Sequence, residues 1–322
     1  AGETENKGID LTINSTNITN KNFTWNTSIT LSHNKNSVKK LTGEDVQLWE
    51  ANFGYSQNTH IIGVNQPLGQ MYGYVTDGLY QVSDFDYDAA TKTYTLKDGV
   101  PYAGEKGNVK PGMWKFKNID GSKDNKITEA DKTVIGNAYP KIYGGINNTF
   151  TYKDFDLSIF LTYSIGNDVF NATKLTNTKT ALQTKNVLAV ADSKHRWVLV
   201  NKAGDLITDP QEMADINKGK TVAAIYDNEA GDTYIHSWAV EDGSFLKLSN
   251  ITLGYTFPKK MIRKVGLSKL RLYATGSNLL TWTKYSGFDP EVSTMGNGLT
   301  PGVDFGAYPR SRSFVFGINL AF

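Results

Sequence analysis

The sequence contains no cysteine, little proline and no long apolar run. Without cysteine, the chain can form neither disulfides nor thiolate metal sites. No segment approaches the roughly 20 apolar residues of a membrane helix, so any passage through a bilayer requires tilted strands of about 9 to 11 residues. Lys and Arg number 34 and Asp and Glu 32, giving a formal net charge of +2. No basic run suggests nucleic acid as a partner.

Aromatic residues are abundant, with 17 Tyr, 15 Phe and 6 Trp. This composition is typical of strands with aromatic girdles at a membrane interface. The last ten residues, SFVFGINLAF, alternate large apolar side chains with small or polar ones, which predicts a strand with two different faces. Such a strand fits a soluble β-sandwich as well as an outer-membrane β-barrel.

The same alternation recurs along the chain and predicts about nine antiparallel strands in total. The clearer segments are 9–13, 23–32, 141–152, 155–166, 245–257, 267–282 and 313–322, and the weaker ones are 57–66 and 71–81.

The connections between these segments alternate in length. Short ones are predicted at 18–22, 67–70, 153–154 and 258–266, and long ones at 36–56, 82–140, 167–244 and 283–311. Short turns at one end of the strands and long loops at the other are typical of outer-membrane barrels. A sandwich has no reason to sort its loops in this way, so we expect an all-β barrel fold, with Phe322 on the periplasmic side.

One segment, DGSKDNKITEAD, has the spacing of a calcium-binding loop. Positions 1, 3, 5, 7, 9 and 12 of such a loop supply the ligands, and here they are Asp120, Ser122, Asp124, Lys126, Thr128 and Asp131. Lys126 would contribute its backbone carbonyl. Asn125 replaces the usual glycine, which is tolerable because Asn adopts positive φ more readily than most residues. The alternative is a solvated acidic turn.

Signals for catalysis are weak. The four histidines show no metal-binding spacing, and neither a G-x-S-x-G motif nor a glycine-rich phosphate loop is present. We therefore expect that the chain is not an enzyme. Aromatic residues in the predicted loops and strand ends would either stack on sugar rings or belong to an aromatic girdle, and the girdle is the favoured interpretation. They are Tyr139, Trp197, Trp238, Trp282 and Tyr285.

Several segments together resemble the C-terminal part of SusC/RagA-type TonB-dependent outer-membrane transporters. In chain order they are GETENKGIDL at 2–11, QPLGQMYGYVTDGLYQ at 66–81, residues 115–171 including KDNKITEADKTVIGNAYPKIYGG, FLKLSNITLGYTFPK at 245–259, LRLYATGSNLLTWTKYSGFDPEV at 270–292 and YPRSRSFVFGINLAF at 308–322.

The resemblance implies a 22-stranded barrel of the kind that encloses a plug. Within it, residues 1–322 would form a single domain, the C-terminal portion of the barrel. It also implies multi-pass insertion in the bacterial outer membrane, with extracellular long loops, a SusD-like surface lipoprotein and the TonB complex as partners, and oligosaccharide or peptide cargo. The plug, the TonB-binding segment and the remaining barrel strands would lie elsewhere in a longer polypeptide.

The sequence is also compatible with two other interpretations of the protein class. One is an independent small outer-membrane porin or adhesin barrel, and the other is a soluble, calcium-stiffened carbohydrate-binding β-module. Neither the cargo nor the residues that contact it can be inferred, because ligand contacts vary within the family.

Overall fold

The computed structural model describes residues 2–51, 53, 58–179, 186–226, 234–294 and 298–322. In chain order, the first ten strands of this part are β1 (Glu3–Thr19), β2 (Phe23–Lys40), β3 (Val46–Glu50), β4 (Asn58–Gly63), β5 (Gln70–Tyr74), β6 (Thr76–Leu79), β7 (Phe85–Asp88), β8 (Thr93–Leu96), β9 (Tyr102–Ala103) and β10 (Trp114–Phe116). The remaining strands are β11 (Lys126–Ile127), β12 (Lys132–Asn137), β13 (Ile142–Tyr152), β14 (Phe155–Ile165), β15 (Asp168–Asn171), β16 (Val240–Asp242), β17 (Phe245–Thr256), β18 (Lys269–Thr283), β19 (Val303–Asp304) and β20 (Ser313–Ala321).

The described residues also form three short α-helices and several single-turn 3-10 helices. The α-helices are α1 (Ala172–Asn177), α2 (Pro210–Ile216) and α3 (Lys259–Ile262). None of the helices in this part of the chain is long and apolar enough to cross a membrane.

Seven long strands form one antiparallel sheet, here called the wall, in the order β1-β2-β13-β14-β17-β18-β20. The all-β fold class is thus confirmed. The expected count of about nine such strands is wrong for two segments, because 57–66 and 71–81 contribute to smaller sheets instead. Asn65, with a positive φ angle, follows the strand of the first segment, and Gly69, also with a positive φ angle, lies between the two segments. Each of their strands has only four to six residues. That length is too short to span a bilayer.

The register of the wall sorts its side chains onto two faces. On β14, for example, Leu157 lies opposite Leu253, and Ile159 lies opposite Ile251. The intervening Ser158 lies opposite Thr252, so hydroxyl groups collect on the other side of the sheet. We call these sides the apolar face and the polar face. Many side chains of the apolar face are exposed, as Phe316 shows at 80%.

The turns confirm the alternation of connection lengths, with fewer strands than expected. At one end of the wall, residues 20–22, 153–154 and 257–268 make the short connections, and at the other end 41–141, 166–244 and 284–312 make the long ones. The tight β13–β14 turn uses Lys153 at a φ of 52°, a conformation that two-residue hairpins require. The end of β20 lies on the short-turn side, where the Ser268 amide donates to the Ala321 carbonyl.

The described residues of the three long connections, within 41–141, 166–244 and 284–312, fold together into what we call the loop assembly. The short strands form its small sheets. Its interior holds three clusters of buried apolar side chains, of which the largest contains Tyr74, Leu79, Trp114, Phe116, Ile127, Trp197, Ile207, Met213, Ala223 and Ala224. The core of the molecule therefore sits beyond the long-loop end of the wall. Whether residues 1–322 behave as one domain stays a prediction.

Candidate functional site

The polar face of the wall is lined by hydroxyl and amide side chains that bond to each other across strands. The Thr162 and Ser249 hydroxyls are 2.7 Å apart, and Ser277 Oγ donates to Asn250 Oδ1 at 2.7 Å. Side chains that bond to their neighbours in this way also keep capacity for water or a ligand. This face can therefore line an aqueous passage.

Near the short-turn end, an ion pair lies flat across the polar face. Arg271 on β18 donates to Asp156 on β14 through Nε at 3.0 Å and Nη2 at 2.5 Å. The pair crosses β17 at Gly254, where an added Cβ would lie 2.4 Å from Arg271 Nη2 and 2.6 Å from the Asp156 carboxylate. Gly254 therefore allows two strands that are not neighbours to be joined through their side chains.

At the other end of the wall, the last long connection bends onto the polar face. Lys247 on β17 is only 6% exposed, and its Nζ lies 2.6 Å from Glu291 Oε2. Arg310 Nη1 lies 3.2 Å from the same oxygen, and Arg310 Nε lies 2.7 Å from Asp289 Oδ2. The Lys247–Glu291 pair thus joins the connection after β18 to the wall, and Arg310 links the two carboxylates within that connection. Bidentate or shared carboxylate contacts of this kind fix geometry as well as supply energy.

Two cavities share Tyr308 as a lining residue, and the first of them borders the charged cluster. One, of about 770 Å³, lies over the polar face and is bordered by Phe160, Thr162, Lys247, Ser249, Asn250, Ser277, Asn278, Glu291, Tyr308, Pro309, Arg310 and Ser311. The other, of about 640 Å³, lies in the loop assembly and is more apolar, with Lys174, Leu188, Val190, Phe288 and Tyr308 among its borders. Tyr308 is 90% exposed and borders both. The arrangement suits an elongated ligand with polar and apolar parts.

The residues of the expected calcium loop lie at the edge of the loop assembly. Asp131 is fully buried, and its carboxylate accepts hydrogen bonds from the backbone amides of Ile119, Asp120 and Thr128 at 2.7, 3.2 and 2.8 Å. Both of its oxygens therefore already close the loop on itself.

Asp120, Ser122 and Asp124 are exposed and follow one another around a turn. Ser122 donates its amide to Asp120 and its hydroxyl to Asp124, at 2.7 and 2.8 Å. The Lys126 amide donates to Asp124 at 3.0 Å, and this bond is the largest cause of the lowered pKa of Asp124. Asn125 has the positive φ, 56°, that its position requires.

The oxygen donors of this turn have the chemistry that a hard cation prefers. In the described residues, however, no group of three or more His, Cys, Asp or Glu is placed to hold a metal ion. Lys126 begins β11, and the Thr128 hydroxyl accepts from the Ala130 amide at 3.2 Å. Calcium at these six residues stays a prediction.

The aromatic candidates divide between surface and core. Trp282 is 52% exposed on the apolar face, and Tyr139 is 41% exposed. Trp197 and Tyr285 are buried, and the Tyr285 hydroxyl donates to Asp304 at 2.5 Å. Trp238 packs against Trp114, with ring centroids 4.8 Å apart. The girdle interpretation therefore does not hold for Trp197, Trp238 and Tyr285, which lie inside the loop assembly.

Sequence reasoning missed the charged cluster of Lys247, Asp289, Glu291 and Arg310. One signal was available, because Lys247 occupies a polar-face position in the alternating segment FLKLSNITLGYTF. Its partner is 44 residues away in a loop, and no local pattern identifies such a contact.

A sheet with one apolar and one polar face, short turns at one end and long folded loops at the other defines the class of protein as a transmembrane β-barrel.

Comparison with known proteins agrees with this class. No family model matches the chain. The chain is 33% identical over 328 residues to TonB-dependent receptor P3 of Formosa agariphila, and 27% identical to TonB-dependent receptor SusC of Bacteroides thetaiotaomicron. Both matches include the whole chain but only 29% and 27% of these relatives.

A solved structure of the RagAB peptide transporter shares the fold, with a TM-score of 0.66 at 22% identity, over the whole chain and 30% of its counterpart. Along its whole length the chain is homologous to the C-terminal part of TonB-dependent receptors that include SusC, and it shares its fold with the corresponding part of the RagA barrel. The resemblance read from the sequence is thereby confirmed. TonB-dependent receptors are outer-membrane β-barrel proteins, and the relatives are named as receptors and transporters, not as enzymes.

Proposed function

We propose that this chain forms part of the wall of a transporter that imports oligosaccharides or peptides across the outer membrane in a TonB-dependent process. The similarity to TonB-dependent receptors along the entire chain carries this proposal. The polar face and its adjoining 770 Å³ cavity support it, because a hydrophilic cargo needs a wet, hydrogen-bonding passage.

The short turns would face the periplasm and the loop assembly the cell exterior. This orientation follows the usual barrel pattern of short periplasmic turns and longer extracellular loops. Phe322 would then lie at the periplasmic rim. The proposal adds calcium as an ion that stiffens the turn at Asp120 to Asp131 on the exterior side.

The proposed partners are those of the family. A SusD-like lipoprotein would cover the loop assembly, and TonB would act through a plug that the rest of the barrel surrounds. One structural neighbour is described as a peptide transporter and one sequence relative is SusC. For this chain, both peptide and oligosaccharide remain cargo candidates.

Uptake by intact cells tests the proposal. Cells that carry the gene should import labelled oligosaccharide or peptide mixtures, and a protonophore should abolish this import while surface binding persists. Uptake that survives the protonophore would favour an independent porin-like barrel.

Purification separates the alternatives by a different property. We expect the polypeptide to require detergent for extraction, to have a mass near that of its relatives and to bring a lipoprotein with it. A detergent-extracted polypeptide of about 35.6 kDa without a companion would favour the small porin or adhesin. Release without detergent would favour the soluble carbohydrate-binding module.

A further inference from the structure

The Glu291 carboxylate lies between two cations on the polar face of the wall. Its Oε2 is 2.6 Å from Lys247 Nζ and 3.2 Å from Arg310 Nη1. Lys247 belongs to a wall strand, whereas Glu291 and Arg310 belong to the connection between β18 and β20. A loop therefore supplies the anion for a cation that the wall holds in place.

Lys247 has a strong requirement for an anion. Its side chain is 7% exposed, and a buried charge without a partner is strongly destabilising. In the described part of the chain, Glu291 is the one carboxylate within ion-pair distance of its ammonium group. Asp289, the other acidic residue of the cluster, bonds instead to Arg310 and to the Glu291 amide, at 2.7 and 2.9 Å. If Glu291 moved away, the Lys247 ammonium group would lack an anionic partner, and another anion would have to take its place.

The second ion pair of the polar face shows how a purely structural pair is built. Asp156 and Arg271 both lie on wall strands, and Gly254 keeps the space between them open. The backbone ladder of the wall fixes the main chain of both partners, so no loop movement can separate them. Glu291, in contrast, needs only a change of side-chain rotamer or a small loop movement to leave Lys247, and such changes are fast.

The space beside Lys247 can receive a replacement. The 770 Å³ cavity borders Lys247, Arg310 and Tyr308, and hydroxyl and amide groups form its floor. A ligand there would meet two cations, an exposed aromatic ring and several hydrogen-bonding groups. Lys and Arg together bind a carboxylate through charge-assisted hydrogen bonds.

We propose that Lys247 and Arg310 form a binding site for a carboxylate group of the cargo, and that Glu291 occupies this site until the cargo displaces it. The inference rests on the proposed transport function and adds a chemical class to it, namely cargo that carries a carboxylate. Acidic sugars and acidic peptides share this chemistry.

A chemical rescue experiment on the purified outer-membrane protein that carries this chain tests the site without any import step. Glu291→Ala removes the resident carboxylate, so trypsin should cut faster after Arg310. Acetate should restore protection, whereas acetamide and chloride at matched ionic strength should not. With a dissociation constant on the order of 10 mM, acetate at about 100 mM would slow cleavage of the folded variant about tenfold.

Two variants serve as controls. Lys247→Met combined with Glu291→Ala removes the cation as well, and acetate should then give no protection. Asp98→Ala removes a carboxylate from an exposed lysine, Lys106, and should change neither the cleavage rate nor its response to acetate. Unchanged mobility of the unheated barrel in detergent gels shows that each variant is folded.

The source of the carboxylate is distinguished by two further probes, digalacturonate and the peptide Gly-Glu-Gly. Stronger protection by one of them than by acetate identifies an acidic sugar or an acidic peptide, and equal protection means that the site recognises the carboxylate alone. The proposal is overturned if acetamide protects as well as acetate does, or if the double variant still responds. Because no uptake is measured, either result leaves the transport function to its own test.

Discussion

The wall and the loop assembly treat apolar side chains in opposite ways. The wall exposes Phe314 and Phe316, at 66% and 80%, whereas the loop assembly buries Phe116 and Trp197, at 0% and 1%. Backbone hydrogen bonds between neighbouring strands hold the wall together, and its apolar face needs lipid as a solvent. The loop assembly contains its own core, as a water-soluble domain does. One chain is therefore adapted to two solvents, and the boundary lies where the long connections leave the strands.

The largest expected effect comes from removing a core ring of the loop assembly. Phe116→Ala should cost about 3 to 5 kcal/mol of local stability, because it deletes a fully buried side chain that contacts Tyr74, Tyr234 and His236. Hydrogen exchange should accelerate across the loop assembly and stay slow in the wall. The matched variant Phe316→Ala, on the apolar face, should leave the loop assembly unchanged. Equal acceleration in both regions would show that they are one cooperative unit.

A charge placed on either face of the wall tests the lipid boundary. Ile251→Arg on the apolar face should lower the free energy of unfolding in lipid vesicles by about 2 to 4 kcal/mol. The adjacent Thr252→Arg, on the polar face, should cost much less, because its side chain reaches water. Urea titrations of the two variants give the comparison. Similar losses for both would argue that the two faces are not separated by solvent.

Acid should weaken the loop assembly more than the wall. Burial lowers the pKa of His236 to about 3 and that of His60 to about 4, so both are neutral in the folded state. The unfolded chain binds a proton at each near its ordinary pKa of 6.5, so this stability is present above pH 6.5 and is lost as pH falls toward the folded values. Each histidine then contributes a loss of about 1.4 kcal/mol per pH unit.

Hydrogen exchange between pH 7 and pH 5, corrected for the intrinsic exchange rate, measures this loss. A His236→Gln variant should show a shallower pH dependence than the parent protein. A pH dependence confined to the wall would contradict the assignment.

The smallest effect is expected at the calcium turn. If calcium binds there, it should slow proteolysis of residues 82–140, and Asp120→Ala combined with Asp124→Ala should abolish this slowing. Exposed carboxylates with few other ligands predict a modest change in the rate of proteolysis. Protease digestion with calcium and with a chelator measures it. No difference between the two conditions would count against the site.

The sequence was sufficient to locate all seven wall strands. A strand with one face toward lipid must alternate apolar and polar side chains, and this period of two is visible in the sequence. It underestimated both β1, which spans Glu3–Thr19, and β2, which continues to Lys40 through the polar segment SHNKNSVKK. It placed 57–66 and 71–81 in the wall because short buried strands resemble fragments of spanning ones. The contact between Lys247 and Glu291 could not be predicted from the sequence, because it depends on how a long loop folds back onto the wall.

The most direct test of the account is a cysteine scan of β14, which is feasible because the chain has no cysteine of its own. Spin labels placed singly at positions 157 to 162 in the membrane-embedded protein would be measured for collision with oxygen, which concentrates in lipid, and with a water-soluble nickel complex. We predict that oxygen accessibility peaks at 157, 159 and 161 and nickel accessibility at 158, 160 and 162. Accessibility without this period of two, or with the two faces exchanged, would contradict the assignment of the wall to a lipid boundary.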